Sequence, residues 1–296
     1  MNENQIDLDL GIEISPEKNK VVGGTLYLVA TPVGNLADIS ARAVKVLREA
    51  DFVAAEDTRN SMRLLSYLGI QKPMVSYFEH NKRTHGELIC DRLLSGESCA
   101  LITDAGTPGI SDPGEDMVAL CAEEDIPVTL IPGPCAAINA LVLSGLPAGK
   151  FAFEGFLSAK SSERKAALRE LAAEKRSIIF HEAPHKLRAT LDDMCEIMGE
   201  DRRIALCREL TKLNEEIIRT TLGGAVALYS EKEPRGEYVL VLEGAKQADG
   251  VEFWTNMTER EHVDFYLSQG MSKNEAIKAA AHDRGVHKSE IYKLVL

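Results

Sequence analysis

The segment that most constrains this chain is the apolar run Cys99-Ala100-Leu101-Ile102, followed by three glycines and two prolines within the nine residues from Gly106 to Gly114. Four apolar residues ending in turn formers read as a buried strand leaving a sheet. Asp112 is the expected N-cap of a following helix, with Pro113 at its start and Glu115 and Asp116 in its first turn. A strand, an open glycine-rich loop and a helix N-terminus form one edge of a ligand crevice in α/β sheets. An ordinary strand-to-helix connection needs the same turn residues, so this stretch alone does not establish a site.

The neighbouring charges select the ligand. Gly109 to Gly114 has the glycine spacing of a Walker A loop, yet Glu115 and Asp116 stand where Lys and Ser or Thr are required. No Lys or Arg lies between Arg92 and Lys150. A polyphosphate would meet Asp104, Asp112, Glu115 and Asp116 with no side-chain cation to balance it. No G-x-G-x-x-G follows a strand, which disfavours a dinucleotide. A positively charged ligand suits the loop better.

The whole chain is acidic, with a formal net charge of -12 over 296 residues. A nucleic-acid partner must therefore be met by a local basic patch, and weak affinity for naked nucleic acid is expected. Six cysteines form no C-x-x-C pair, so reduced core thiols in a cytoplasmic protein are expected, without a metal site. Residues 1–22 are read as an acidic, disordered extension and not a signal peptide. No apolar run reaches the ~18 residues of a membrane span.

The fold class is α/β. Strand-like and helical segments alternate from Thr25 to Leu143, implying a mostly parallel sheet with helices on both faces over residues 23–148. The next part, 149–245, reads as an α+β domain with a mixed sheet, its strands at 203–209, 215–221 and 237–243 pairing as hairpins. Residues 246–250 form a polar link. Three short helices make a small C-terminal unit, 251–296, and Ser272 and Glu275 have capping-box spacing. From Ser272 to Leu296, five Lys or Arg face three Asp or Glu. That local reversal fits either a helix-turn-helix-like contact with a nucleic-acid backbone or a packing appendage.

His181-Glu182-Ala183-Pro184-His185 matches H-E-x-x-H, a zinc motif that needs both histidines on one helix face. A strand leads into it, and Pro184 inside a helix would cost about 3 kcal/mol. Pro184 fits better as the first residue of the next helix, leaving a strand end where a ligand would lie against Phe180 and Glu182. Ile131 to Ala137 is a second crevice loop, whose small side chains let a ligand approach the backbone. Glu56-Asp57-Thr58-Arg59 lies at another strand end, either capping a helix or placing Asp57 or Arg59 at the crevice mouth. Lys160, Arg164, Lys165, Arg169, Lys175 and Arg176 make a basic run, read as a solvated helix face or as a phosphate-holding patch.

Taken together, Thr31 to Leu36, Glu56 to Arg59, Thr103 to Pro108, Asp112 to Gly114, Pro132 to Ala137 and Phe153 to Leu157 resemble the tetrapyrrole-methylase-like (class III) S-adenosylmethionine-dependent methyltransferases. They are most similar to the RNA-modifying branch that methylates a cytidine 2′-oxygen in 16S ribosomal RNA. The resemblance runs from about Gly24 to Gly244, and more weakly through the C-terminal helices. It implies a two-domain fold with S-adenosylmethionine in the cleft, a homodimer, and a substrate met in the small ribosomal subunit near the decoding centre. By motif position, Pro32, Asp104, Gly106, Thr107, Pro108, Cys135 and Ala136 would line one side of the cofactor. Glu182, Leu210, Thr211 and Gly236 would line the other.

In-line attack of a ribose hydroxyl on the sulfonium methyl needs no acid and at most one base. Positioning contributes ~7–11 kcal/mol to such a step, and a general base about 10²–10⁴-fold. Asp57 or Glu154 is the expected proton acceptor, and Arg59 or Lys160 would hold a flanking phosphate. A carbon methylase acting on a tetrapyrrole would share the cofactor loops. A non-enzymatic RNA-binding or ribosome-assembly protein would leave those loops unexplained.

Overall fold

The three inner strands of the first sheet are apolar and buried on both faces, because helices cover both. The computed structural model describes residues 19–245, 254 and 257–295. The first 18 residues of the expected extension, and the polar link 246–250, lie outside the described residues. β1 (Leu26–Val29), β2 (Phe52–Ala55), β3 (Met74–Ser76), β4 (Cys99–Ile102) and β5 (Val128–Ile131) are all parallel, in the order β3-β2-β4-β1-β5. Successive side chains point to opposite faces. Tyr27, Val29, Val53 and Ala55 pack with Val44 and Leu47 of α1 (Ala41–Glu49) and Leu65 of α2 (Thr58–Tyr67). Leu26, Leu28, Phe52 and Ala54 pack with Ile89 and Leu93 of α3 (Lys82–Leu94) and Met117 of α4 (Gly114–Glu123).

β1 and β4 are neighbours whose connections leave in opposite directions. The chain passes from β1 through α1 to β2 on one side, and from β4 through α4 to β5 on the other. Crevices of open α/β sheets form at such a reversal, beyond the carboxyl ends of the strands. At that point one expectation is corrected. Pro113, not Asp112, is the N-cap of α4, and it makes no side-chain cap bond. Asp112 instead accepts hydrogen bonds from the amides of Gly109, Ile110 and Gly114 at 2.8–3.1 Å, closing the loop upon itself.

The second sheet comprises β6 (Phe151–Phe156), β7 (Ser177–Glu182), β8 (Arg203–Arg208), β9 (Glu216–Thr221) and β10 (Tyr238–Leu242), in the order β6-β7-β10-β8-β9. Only the β6–β7 pair is parallel. β8 and β9 form the expected hairpin, but β10 inserts between β7 and β8. The chain returns there through α8 (Leu222–Glu231). α6 (Ser161–Leu171), α7 (Pro184–Met198) and α8 cover one face. The other face is covered by α5 (Ala136–Ser144), whose Ala137, Ala140 and Leu141 pack on Ile179, Ala205, Val239 and Val241. α5 follows the first sheet in sequence and packs on the second, so both sheets share one compact unit that ends at Gly244.

Four residues of the basic run, Lys160, Arg169, Lys175 and Arg176, are exposed as on a solvated face, and most of the run is ion-paired. Arg164 is buried and paired with Asp193, Lys165 with Asp193 and Glu196, Lys160 with Glu163 and Arg176 with Glu174. Arg164 and Lys165 thereby tie α6 to α7, while the other pairs are local.

The unit from Ala245 onward contains α9 (Glu259–Ser268), α10 (Lys273–Asp283) and α11 (Lys288–Val295), packed around Val263, Ile277, Ala280 and Ile291. Capping boxes start α9 at Thr258 and α10 at Ser272. The acidic residues of its last two helices are spent internally. Glu275 bonds Ser272, Asp283 bonds Tyr266, and Glu290 accepts from the His287 amide. Lys273, Lys278 and Lys293 are exposed.

Candidate active site

Three loops at the carboxyl ends of β1, β4 and β5 are stitched into one cradle. Thr31 and Gly106 exchange backbone hydrogen bonds at 2.9 and 3.1 Å, and the Thr107 hydroxyl donates to the Pro134 carbonyl at 2.9 Å. Gly106 has φ +83°, where an L side chain is strained. Opposite them stand the ends of β7 and β10. Between lies a cavity of about 390 Å³, lined by Val33, Gly106, Thr107, Cys135, Ala136 and Ala137 from one side and by Phe156, His181, Glu182, Glu237 and Tyr238 from the other. Ala105, Ile110, Ala183, Pro184 and Val239 complete the wall. The volume falls within the roughly 300–1,000 Å³ of small-molecule sites.

The wall contains two carboxylates, one imidazole and no Lys or Arg. α5 starts at the cavity, and its N-cap residue Cys135 makes no side-chain cap bond, so first-turn amides remain for a carboxylate ligand. Both carboxylates are already ion-paired, Glu182 with Lys186 and Glu237 with Lys212 at 2.9 Å, so the feature that selects a ligand is the set of open first-turn amides, which suits a carboxylate. Glu182 is 2% exposed. Its carboxylate accepts from the Thr190 hydroxyl at 2.6 Å and the Ala183 amide at 2.8 Å, and pairs with Lys186 at 3.0 Å. The N-cap and first two turns of α7 thus fix its position.

His181 lies in β7 and His185 in α7, so the H-E-x-x-H histidines share no helix face. The ligand neighbour on this strand is His181 and not the expected Phe180, because alternation turns Phe180 into the core packed under α6, α7 and α8. The His181 ring packs edge-on against Phe153 and Phe156, and its Nε2 is buried with no hydrogen-bond partner. Burial lowers its pKa, opposed by the Glu237 charge.

Of the sequence-derived cofactor residues, Gly106, Thr107, Cys135, Ala136 and Glu182 converge on the cavity wall. Pro32 precedes the lining residue Val33, Pro108 is buried within the loop, and Asp104 is exposed at its start. Leu210 belongs to the core beneath α5. Thr211 has φ +66° and a buried, unpartnered hydroxyl, while Gly236 has φ +77° beside the Glu209 side chain. None of these six lines the wall. Nor do the four residues expected to act on substrate. Asp57 caps α2 through the Arg59 amide, the Arg59 side chain is 89% exposed, Glu154 is exposed on β6, and Lys160 is bonded to Glu163. Among the described residues no His, Cys, Asp and Glu cluster is arranged to hold a metal.

Sequence reading missed Glu237, Tyr238 and Val239, which look like the start of an ordinary core strand; nothing local marks them. It also passed over Glu56 at the end of β2, although Glu56-Asp57 was in view. Glu56 is half-buried and accepts a hydrogen bond from the Asp104 backbone. Burial raises its pKa, and the Asp104 and Asp112 charges raise it further.

The model of the Tetrapyrrole (Corrin/Porphyrin) Methylases matches residues 25–226. Proteins called Ribosomal RNA small subunit methyltransferase I are 46% identical in Halalkalibacterium halodurans, over 92% of this chain and 94% of that protein, and 45% identical in Bacillus subtilis, over 91% and 93%. In Escherichia coli O157:H7 the figures are 42%, 92% and 95%. Among solved structures, uroporphyrin-III C-methyl transferase from Thermus thermophilus shares the fold at TM-score 0.53 and 17% identity, over 74% of this chain and 97% of that one; it is complexed with S-adenyl homocysteine. Diphthine synthase does so at TM-score 0.57 and 15% identity, over 74% and 90%. The chain belongs to the tetrapyrrole (corrin/porphyrin) methylase family, and within it to the ribosomal RNA small subunit methyltransferase I proteins.

Proposed function

We propose that this protein methylates the 2′-hydroxyl of a cytidine ribose in 16S ribosomal RNA, near the decoding centre of the small subunit, using S-adenosylmethionine. The observation that carries this reading is a mostly apolar cavity bounded by glycine-rich loops and the open first-turn amides of α5, matched to a donor that carries a carboxylate. When bound, the donor supplies an electrophilic methyl group. The first turn of α5 would hold the donor's carboxylate, and Glu237, shared with Lys212, would face its positive charge. Glu182 would form part of the wall, and the stitched loops would fix the donor's orientation. Pro32, Asp104, Pro108, Leu210, Thr211 and Gly236 support that wall from behind or at its edge.

Asp57 or Glu154 accepts the hydroxyl proton, and Arg59 or Lys160 meets a flanking phosphate of RNA arriving from solvent. Because these four groups stand outside the cavity wall, positioning carries most of the acceleration. The exposed lysines of the C-terminal unit contact the RNA backbone. A homodimer forms through the outer stripe of α5, where Ile138 is 40% and Val142 is 70% exposed. The protein acts in the cytoplasm.

The test is transfer of labelled methyl to small-subunit particles, to free ribosomal RNA and to a tetrapyrrole, with S-adenosylhomocysteine binding measured by calorimetry. Transfer to the ribosomal substrate, sensitive to alkali only at bonds left unmethylated, is expected. Transfer to the tetrapyrrole alone overturns the proposal.

A further inference from the structure

β6 and β7 run parallel with Phe153 opposite Ile179 and Gly155 opposite Phe180, so Glu154 is an extra residue with no partner on β7. Such bulges re-aim side chains beside functional sites. Simple alternation would send Phe156 to the face opposite Phe153. The inserted residue reverses this, and Phe156 stands opposite His181 on the cavity face. Both phenyl rings then meet the imidazole, with centroids 5.2 and 5.4 Å away. Gly155 makes the bend at φ +62°, and a Cβ there would come 3.1 Å from the Ser111 hydroxyl.

The product of this bulge is a phenyl ring that lines the cavity and is nevertheless 57% exposed. The fold gains little from a large apolar side chain left in water. Lys186 Nζ lies 5.4 Å from its centroid, already held by Glu182 and the Leu157 carbonyl. A braced, exposed aromatic ring with a neighbouring cation is how proteins hold the unstacked bases of single-stranded RNA.

We infer that Phe156 is the stacking platform for the base of the target nucleotide, holding it at the cavity rim so that its ribose faces inward. This rests on the ribose-methylation reading above. A nucleobase could also come from the cofactor's adenine, but the exposure of the ring favours one arriving from solvent.

The experiment compares Phe156→Ala and Phe156→Trp in the full chain. It measures methyl transfer to small-subunit particles, affinity for those particles, and affinity for S-adenosylhomocysteine. Phe156→Ala is expected to lower kcat/KM about 5- to 100-fold, chiefly through KM, while Phe156→Trp stays within about threefold of the parent. Both should bind S-adenosylhomocysteine as the parent does. An unchanged kcat/KM in Phe156→Ala overturns the inference. A parallel loss of S-adenosylhomocysteine affinity also overturns it, assigning the ring to the cofactor's adenine. If the parent transfers no methyl to any ribosomal substrate, the reaction reading fails, and particle affinity decides separately. Weaker binding by Phe156→Ala with recovery in Phe156→Trp then supports the stacking role, and equal binding overturns it.

Discussion

Glu56, Asp104 and Asp112 crowd three carboxylates at the ends of β2 and β4, and the fold bears a cost for it. Glu56 keeps its proton to higher pH in the folded chain than in the unfolded one. Stability therefore falls as pH rises from the ordinary carboxylate range through the folded pKa, and the loss is complete above it. Glu56→Gln should be more stable than the parent at pH 7, with the gain vanishing below about pH 4. Thermal unfolding at both pH values checks this; an equal gain at both would refute the electrostatic cause. Glu182 is the opposite case, a buried carboxylate fully matched by Thr190, Lys186 and the Ala183 amide. Glu182→Ala strands those partners and should cost about 3–5 kcal/mol in urea unfolding. Glu182→Gln, whose amide oxygen still accepts, should cost less.

At the scale of elements, the helix and strand assignments follow from local chemistry. Ser40 caps α1 by accepting from the Ala43 amide, Pro184 opens α7, and Gly145 ends α5 at φ +72°. Each signal acts within a few residues, so each was legible. The bulge at Glu154 was not, since nothing in Phe153 to Phe156 records the register of β7. The capping box of α10 gives a local prediction. Ser272→Ala should lower the stability of the C-terminal unit by about 1 kcal/mol. Hydrogen exchange should show faster opening of α9, α10 and α11 and unchanged protection in β1, β4 and β10; loss of protection in the sheets would contradict the division into separate units.

For the whole molecule, α5 is the decisive element. Its inner side chains cover the second sheet, and its outer Ile138 and Val142 remain exposed. Val142→Glu should convert a dimer to a monomer in sedimentation, with the same far-ultraviolet circular dichroism. A parent that sediments as a monomer would remove the homodimer. The two compact units lead to a further expectation, that a chain ending at Ala245 folds and binds S-adenosylhomocysteine as the full chain does. Loss of that binding would show that the cavity depends on the C-terminal helices. The amino-acid sequence by itself determined the strands and helices and the glycine-rich loops, because these depend on neighbours in the chain. It did not show that Lys82 would pair with Asp116, or that Lys212 would pack on Gly34, since those cations come from distant segments. Only the tertiary structure decided that α5 would cover the second sheet, that β10 would insert between β7 and β8, and that His181, Glu237 and Phe156 would face one cavity. Those outcomes depend on strand register and on which apolar face meets which, and such pairings join residues far apart in the sequence.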